Sequence, residues 1–285
     1  ALLAKVYATM PNPDWNKTIQ YCDEVIAGGY TLLPTYDHLF DSAHEGNDES
    51  IWEVNGDGWG SPIGAWNTFM FLGTDWKKFN APSHTLVEAF ANNGDTQREA
   101  SSITRANVGW ADNYWSSTNY PFAYKMRDTN GNQNFYIARL ADILLLKAEA
   151  LASLGDAPGA MTLVNQVRAR VGISPISTTD ASDAVYKILD ERLMELAFEG
   201  DRWFDLKRMG KAVEILSDIL EISEKIFELL KFAQASSNNK VILAKLFKLI
   251  CVKLFSLFCF AFKYNIFVAG DNFVASEVAS NLIVL

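Results

Sequence analysis

Residues 191–210 read ERLMELAFEGDRWFDLKRMG, and this run of charged and aromatic residues decides the fold. Leading into it, apolar residues recur at three- and four-residue spacing over residues 185–197, which predicts a helix with one apolar face. Asp180 or Ser182 can cap the start of this helix, and Gly200 can end it in a left-handed conformation. The sequence therefore predicts two helices that meet in a turn at Gly200.

The charges of this run are closely spaced along the predicted helix. Glu191, Glu195 and Glu199 follow one another at intervals of four residues, so their carboxylates repel one another unless cations neutralise them. The candidate cations within the run are Arg192, Arg202, Lys207 and Arg208. We interpret the run as a helix–turn–helix corner tied by ion pairs, with Trp203 packed inside it. Paired carboxylates can also serve as the acid and base of a glycosidase, and this alternative stays open.

The composition indicates a globular chain of one large or two modest domains. Of its 285 residues, 49% are hydrophobic and 13% are aromatic, which suffices for a sizeable core. The net charge is −9, and residues 229–285 carry six lysines against Asp271 and Glu277, a net of +4, so residues 1–228 carry −13. Because a body this acidic repels phosphates, we expect no nucleic-acid partner.

Cysteine and histidine, the usual ligands of transition metals, are few and scattered. Cys22 lies on an apolar helical stripe and is expected to be a buried free thiol. Residues 128–134 resemble half of a calcium loop, but they lack its turn glycine and its final glutamate, so we interpret them as a polar turn. The sequence thus predicts no metal site and no cofactor. The other two cysteines, Cys251 and Cys259, show no disulfide pattern. We interpret the three histidines, His38, His44 and His84, as solvated loop residues.

Apolar periodicity predicts two pairs of helices. Residues 1–10 and 14–28 form the first pair. In the second pair, one helix has an apolar face from Ile137 to Ala152, and the next helix follows over residues 158–171. Helix pairs of this length, with small residues where they meet, are typical of tetratricopeptide repeats. The predicted fold class is therefore mainly α, with tetratricopeptide-like helical hairpins and a long, irregular, loop-rich insertion.

The insertion comprises residues 32–134 and is rich in asparagine, glycine, serine and aspartate. Its periodic segments are a short strand at residues 51–54 and a helix near residues 83–92. An irregular block of this length is uncommon in a compact domain and is often functional. It contains six of the eight tryptophans, namely Trp52, Trp59, Trp66, Trp76, Trp110 and Trp115.

The composition of the insertion suits carbohydrate. Aromatic rings pack on the apolar faces of sugars, while amide and carboxylate groups bond to the sugar hydroxyls. The alternative is that these rings fill a core beneath the loops. The predicted ligand-binding residues are Trp59, Trp66, Asn67, Trp76, Tyr114 and Trp115.

The last part of the chain has a different composition. Residues 241–262 are rich in leucine, phenylalanine and isoleucine, with three lysines on one side of a helical wheel. This pattern indicates a basic amphipathic helix or a marginal membrane segment. We therefore divide the chain into a domain at residues 1–232 and an atypical hydrophobic, lysine-rich tail at residues 233–285.

Several segments resemble motifs of the SusD/RagB family. The resemblance implies an α-helical, tetratricopeptide-scaffolded lipoprotein on the extracellular face of the cell outer membrane in Bacteroidetes-type bacteria. It also implies that the protein is not an enzyme, but binds oligosaccharides and passes them to a SusC-like TonB-dependent porin. Family motifs mark the scaffold, so they assign no ligand-binding residue. The matching segments are residues 1–7, 27–33, 36–40, 49–54, 136–150, 163–170 and 191–210.

Two departures from the family pattern affect these expectations. The family's long N-terminal region, with its lipidated cysteine, is not in this sequence, so we expect a truncated chain whose lipid anchor lies on the missing part. The lysine-rich tail replaces the segment that normally ends family members. A tetratricopeptide-like scaffold that binds a partner protein in a groove remains the alternative to glycan binding.

Overall fold

The computed structural model describes residues 1–58, 60–61, 80–110 and 114–216, and within them the fold is mainly helical, as predicted. The helices are α1 (Leu2–Thr9), α2 (Trp15–Ile26), a 3-10 helix (Tyr36–Phe40), α3 (His84–Asn93), α4 (Thr96–Ser102), α5 (Leu140–Ser153), α6 (Ala157–Arg170), α7 (Ala181–Glu195) and α8 (Arg202–Arg208). The strands are β1 (Ser50–Val54), β2 (Ile103–Ala106), β3 (Tyr120–Ala123) and β4 (Phe135–Arg139).

The chain divides into two compact units, Ala1–Gly210 and Lys211–Leu285. The first unit contains every element named above, and residues 211–216 are the described part of the second. The predicted domain boundary at residue 232 and the predicted amphipathic helix at residues 241–262 lie outside the described residues. In the described part of the chain, no helix combines the length and apolarity needed to cross a membrane.

Side-chain caps set the helix starts where the sequence predicts them, whereas α7 ends at Glu195 and not at Gly200 as predicted. The carboxylate of Asp14 accepts a hydrogen bond from the backbone N–H of Lys17 at 3.0 Å, and Asp180 accepts one from Ser182 at 2.7 Å. Each cap satisfies a donor that the first helical turn leaves without a partner. Gly200, between α7 and α8, has a φ of +96°, which a residue with a side chain adopts only with strain. The predicted turn at Gly200 is confirmed.

The helical core lies where α5 packs against α2, α6 and α7. Because α5 contacts other elements on most sides, it is buried along nearly its whole length. Leu145 on α5 and Ile188 on α7 are fully buried, and burial of each side chain contributes roughly 1.5–3 kcal/mol. Ala148 and Ala160 are also fully buried, so the small residues lie inside the helix packing, as predicted.

Two antiparallel strand pairs accompany the helices, β1 with β4 and β2 with β3. In the first pair, Val54 lies opposite Phe135. The prediction that a helix begins at Ile137 is therefore wrong, since Ile137 lies in β4 and the helix begins at Leu140. The aromatic and β-branched residues of β4 favour a strand, and hydrogen bonding to β1 outweighs their apparent helical periodicity.

The insertion at residues 32–134 is more regular than predicted. The expected strand at residues 51–54 is β1, and the expected helix near residues 83–92 is α3. However, α4, β2 and β3 have no counterpart in the sequence prediction. Each is only four to seven residues long, which is too short for a periodic pattern to identify it.

Candidate functional site

Glu195, at the C-terminal end of α7, is the centre of a buried ion network. Its fully buried carboxylate receives hydrogen bonds from Arg98 at 3.0 Å and Arg139 at 2.5 Å, and a third from Arg170. Burial raises the pKa of Glu195, but the charges of the three arginines outweigh burial and hold this pKa well below its ordinary value. An ionised carboxylate on α7 therefore ties together α4, β4 and α6.

The other two carboxylates of the corner are also neutralised by residues from outside the 191–210 run. Glu191 lies 2.7 Å from Arg98 and 2.8 Å from Arg168, and Glu199 lies 2.7 Å from Lys125. Within the described part of the chain, the network balances five carboxylates against five cations, so each buried charge is compensated. The carboxylates are Glu49, Asp95, Glu191, Glu195 and Glu199, and the cations are Arg98, Lys125, Arg139, Arg168 and Arg170.

The prediction that cations inside the run neutralise these glutamates is wrong. Arg192 lies on a different side of α7 and binds Asp142 and Asp205, each at 2.8 Å. Arg208 binds a carboxylate of α5, and Arg202 donates to a backbone carbonyl of α7. The glutamates face α4, β4 and α6 instead, and those elements, together with Lys125 after β3, supply the cations. The prediction of a corner tied by ion pairs is confirmed: Arg192 binds Asp205 within the run, while the partners of the glutamates come from distant segments.

This geometry removes the glycosidase alternative for Glu191, Glu195 and Glu199. Such chemistry needs two carboxylates that face an open cleft roughly 5–10 Å apart, one of which can carry a proton. Here Glu191 and Glu195 are fully buried, and cations bind the oxygens of all three groups. Burial raises the pKa of Glu199, but Arg139 and Lys125 outweigh burial and lower it. These carboxylates stabilise the fold.

A second charged cluster borders a cavity of about 330 Å³ in the first unit. Lys5 lies 2.6 Å from Asp142 and 3.3 Å from Asp201. Burial, together with the neighbouring charge of Asp142, raises the pKa of Asp201 to about 6. Among its described members, this cluster has one more carboxylate than it has cations. The carboxylates are Asp142, Glu149, Asp201 and Asp205, and the cations are Lys5, Arg192 and Arg208.

Trp203 does not fill the inside of the corner as predicted. Its side chain is half-buried, and the next residue, Phe204, is 54% exposed. Leu206 is the buried apolar residue of α8. The reason is that buried ion pairs, and not an indole ring, occupy the space between α7 and the elements beside it.

Of the predicted ligand-binding residues, Tyr114 and Trp115 lie in the described part of the chain. They form an aromatic patch with His84, the first residue of α3. The His84 ring centroid lies 4.5 Å from that of Tyr114 and 3.8 Å from that of Trp115. The rings of Tyr114 and Trp115 are 5.8 Å apart and nearly perpendicular, at 84°. Sequence reasoning missed His84, because thirty residues separate it from Tyr114 and no local pattern joins them.

Within the aromatic patch, Trp115 is held in place and Tyr114 faces solvent. The indole Nε1 of Trp115 donates a 2.8 Å hydrogen bond to the carbonyl of Pro82, and its ring packs on a cluster that contains Tyr120. Tyr114 is 44% exposed, and its hydroxyl accepts a hydrogen bond from the backbone N–H of His84 at 3.2 Å. The patch therefore combines a fixed ring with an accessible one.

The loop after Trp115 provides polar groups next to the patch in sequence. Residues 116–119 are exposed and offer hydroxyl and amide side chains. Asn119 adopts a left-handed conformation, with a φ of +59°. Its backbone N–H donates to the Asn107 side chain at 2.9 Å, which fixes the end of the loop.

The remaining predicted ligand-binding residues lie outside the described residues, so they stay predictions. They are Trp59, Trp66, Asn67 and Trp76. Two other tryptophans of the insertion differ in environment. Trp110 packs edge-on against Tyr120, with ring centroids 4.9 Å apart, as the core-filling alternative expects. Trp52 is 51% exposed, so the insertion contains both packed and exposed indoles.

Two of the scattered histidines also come together. The rings of His38 and His44 stack with centroids 3.8 Å apart and planes at 9°. The Nδ1 atom of His44 lies 2.6 Å from a carboxylate oxygen of Asp41. His44 is solvent-exposed, as predicted, but the two histidines are not isolated, because the 3-10 helix and the turn after it bring them into contact.

Two smaller predictions are confirmed. Cys22 is a buried free thiol, and burial raises its pKa to about 12. Residues 128–134 form a polar turn in which the Asp128 carboxylate accepts hydrogen bonds from the backbone N–H groups of Asn130, at 2.8 Å, and Asn132, at 3.2 Å. The carboxylate of Asp128 is therefore used by the turn itself.

These features define a class of protein: a mainly helical scaffold closed by a buried charge network, with an aromatic patch at its surface. The family model SusD_RagB, described as the SusD family, matches residues 64–239, and the chain belongs to this family.

Two curated relatives come from Formosa agariphila. SusD-like protein P38 is 39% identical over 118 residues, which cover 38% of this chain and 24% of that protein. SusD-like protein P25 is 25% identical over 264 residues, which cover 76% of this chain and 50% of that protein. The chain thus spans half or less of the length of these relatives.

Solved structures share the fold. A SusD superfamily protein from Bacteroides vulgatus matches 76% of this chain and 52% of its own, with a TM-score of 0.62 and 22% identity. A laminarin binding SusD-like protein matches 76% of this chain and 55% of its own, with a TM-score of 0.56 and 29% identity. Surface glycan-binding protein A from Bacteroides thetaiotaomicron matches 75% of this chain and 54% of its own, with a TM-score of 0.59 and 24% identity.

Proposed function

We propose that this protein binds oligosaccharides at the aromatic patch, as the ligand-capturing component of a glycan-uptake system. The observation that carries the proposal is the exposed ring of Tyr114 beside the fixed ring of Trp115. Membership of the SusD family and 29% identity to a laminarin binding SusD-like protein support the ligand class. Laminarin oligosaccharides are therefore the first probe.

The physical basis is stacking combined with hydrogen bonding. The apolar C–H face of a pyranose ring packs on the accessible face of Tyr114, which removes apolar surface from water. The sugar hydroxyls then bond to polar side chains such as those of residues 116–119. Trp59, Trp66, Asn67 and Trp76 are proposed as further ligand contacts. Because few rings are involved and the site is open, we expect affinities of about micromolar to millimolar.

In this proposal the protein works on the extracellular face of the cell outer membrane. A lipid anchor on an N-terminal region outside this sequence holds it there, and a SusC-like TonB-dependent porin receives its ligand. In this proposal the protein captures its ligand without cleaving it, and the closely spaced carboxylates of the 191–210 run, which bind buried cations, stabilise the fold. Co-purification with a SusC-like porin from native membranes tests the partner separately from the ligand.

Isothermal titration with laminarin oligosaccharides and a wider glycan panel tests binding. Tyr114→Ala should weaken binding roughly fivefold, a loss of about 1 kcal/mol, because one stacking contact is removed. Phe204→Ala is the matched control, since Phe204 is an exposed aromatic residue of α8, 54% exposed, outside the patch. Trp59→Ala and Trp66→Ala test the predicted contacts outside the described residues in the same way.

Each outcome has a distinct meaning. Equal affinity of the wild type and Tyr114→Ala would remove the patch as the binding site. Absence of saturable binding across the panel would refute glycan capture. Release of shorter sugars during incubation, followed by chromatography, would refute capture without cleavage.

A further inference from the structure

We infer that His38, Asp41 and His44 form a binding site for one divalent transition-metal ion such as zinc. Each residue offers one ligand atom, and the three atoms lie within 4.8 Å of one another. Two imidazoles and one carboxylate are a ligand set that suits zinc, with water completing the coordination. Successive ligands are three positions apart, which places His38 on the 3-10 helix and the other two on the turn that follows it.

Binding requires the side chains to draw together. Zinc binds nitrogen and oxygen ligands at about 2.0–2.1 Å, so in its tetrahedral geometry two ligand atoms on one ion lie about 3.3–3.4 Å apart. The three atoms lie within 4.8 Å of one another, and a pair at that limit must close by roughly 1.4 Å. The side chains of His44 and Asp41 are 41% and 31% exposed, so rotation of exposed groups can supply this shift. Because an imidazole lone pair lies in its ring plane, binding also opens the parallel stack.

The two imidazole rings lie unusually close together. Their centroid separation of 3.8 Å is shorter than the roughly 4.5–7 Å usual for aromatic pairs. This proximity places two nitrogen ligands of the kind that zinc binds beside each other. Asp41 adds negative charge, while Arg127, which donates to the carbonyl of Phe40, binds Asp37 at 2.8 Å.

The segment that carries the three ligands is held at both ends. Leu39 is buried, and its carbonyl accepts a 2.8 Å hydrogen bond from the hydroxyl of Tyr136. The side-chain amide of Asn47 donates to the carbonyl of His44 at 2.9 Å and to the hydroxyl of Tyr136 at 2.8 Å. Tyr136 on β4 therefore links the two ends, which limits the entropy lost when the ligands close on an ion.

The metal site shares no residue with the aromatic patch, so its failure would leave the proposed function untouched. A bound ion would fix the turn after the 3-10 helix. It would also stabilise the folded state in proportion to the logarithm of the ion concentration above the Kd. The melting temperature would then rise with the ion concentration.

The test is isothermal titration of zinc chloride into the full chain without an affinity tag. The wild type should bind at a site that His44→Ala weakens by at least about 100-fold, since loss of a direct ligand costs more than loss of a supporting group. His84→Ala, which removes the histidine of the aromatic patch, is the matched control and should bind like the wild type. Because Cys251 and Cys259 can also bind zinc, the site is identified by the difference between wild type and His44→Ala.

Cobalt provides an independent readout. Co²⁺ added to the wild type should give a visible absorption band that is lost in His44→Ala and reduced in Asp41→Asn. Circular dichroism should show all variants folded, because His44 and Asp41 are partly exposed. Zinc affinity unchanged in His44→Ala, or no saturable binding by the wild type, would overturn the inference.

Discussion

Replacement of Glu195 by glutamine should lower the free energy of unfolding by about 3–5 kcal/mol. The Glu195 carboxylate is fully buried and is bound by Arg98, Arg139 and Arg170. Glutamine is neutral, so the five cations of the network would face four carboxylates, and its NH₂ group would direct a donor at arginine donors. The stability of a whole domain is about 5–15 kcal/mol, so this change would remove a large share of it.

Thermal unfolding followed by circular dichroism measures this effect. For a unit of about two hundred residues, the expected loss corresponds to a melting temperature lower by about 6–20 °C. Asp183→Asn on the same helix is the matched control, since Asp183 forms an exposed ion pair with Lys187 at 2.8 Å, and solvent-exposed ion pairs contribute little to stability. If Glu195→Gln melted no lower than Asp183→Asn, the buried network would not be what stabilises the corner.

Three further changes follow from burial and charge. Asp201→Asn should raise stability at pH 7 by about 1–2 kcal/mol. The pKa of Asp201 is raised to about 6, so the protonated carboxyl stabilises the folded state; this stabilisation is complete below about pH 4 and is lost as the pH rises through 6. Urea unfolding that gave the same difference between Asp201→Asn and wild type at pH 5 and pH 7 would contradict this. Cys22 should resist Ellman's reagent at pH 8, because it is buried with a pKa of about 12, and Cys22→Ser should show as many fast-reacting thiols as the wild type. Leu145→Ala should cost about 2–5 kcal/mol of unfolding free energy, whereas Leu154→Ala, at a 51% exposed position, should cost far less in the same denaturant titration.

The long helices were predictable because each shows several turns of one period. Helix α6, with fourteen residues, begins one residue before its predicted start at residue 158, and α7, with fifteen, begins after the predicted cap Asp180. Strand β4 was not predictable, because its apolar residues run directly into the apolar helix α5 and share its apparent period. What separates the two is hydrogen bonding to β1, some eighty residues away in sequence, and local patterns do not contain it.

The ion pairs of the corner show the same limit of sequence-based prediction. The spacing of Glu191, Glu195 and Glu199 indicates that cations must neutralise them, but 25 lysines and arginines are available and the actual partners lie far along the chain. The histidine cluster is the opposite case. His38, Asp41 and His44 lie within seven residues, so the signal was local, yet the sequence analysis predicted no metal site because it treated each histidine separately.

The buried network contributes more to the choice of which elements pack together than to the free energy of unfolding. Apolar residues of similar volume often stabilise an interior as well as buried ion pairs do, so net stability does not explain ten buried charges. If α4 or β4 docked elsewhere, however, arginines and glutamates would remain unpaired in the interior, at about 3–5 kcal/mol for each broken pair. Our hypothesis is that the network selects one arrangement.

A short series of connected elements links the buried network to the aromatic patch. Arg98 lies on α4, which leads directly into β2, and β2 pairs with β3, whose Tyr120 belongs to the cluster under Trp115. Arg98→Met keeps a long apolar stem but removes the charge, so it should shift β2 and β3 and weaken glycan binding. Near-UV circular dichroism of the tryptophans should change with it. If a folded Arg98→Met variant kept both the wild-type spectrum and the wild-type glycan affinity, the corner would not position the patch.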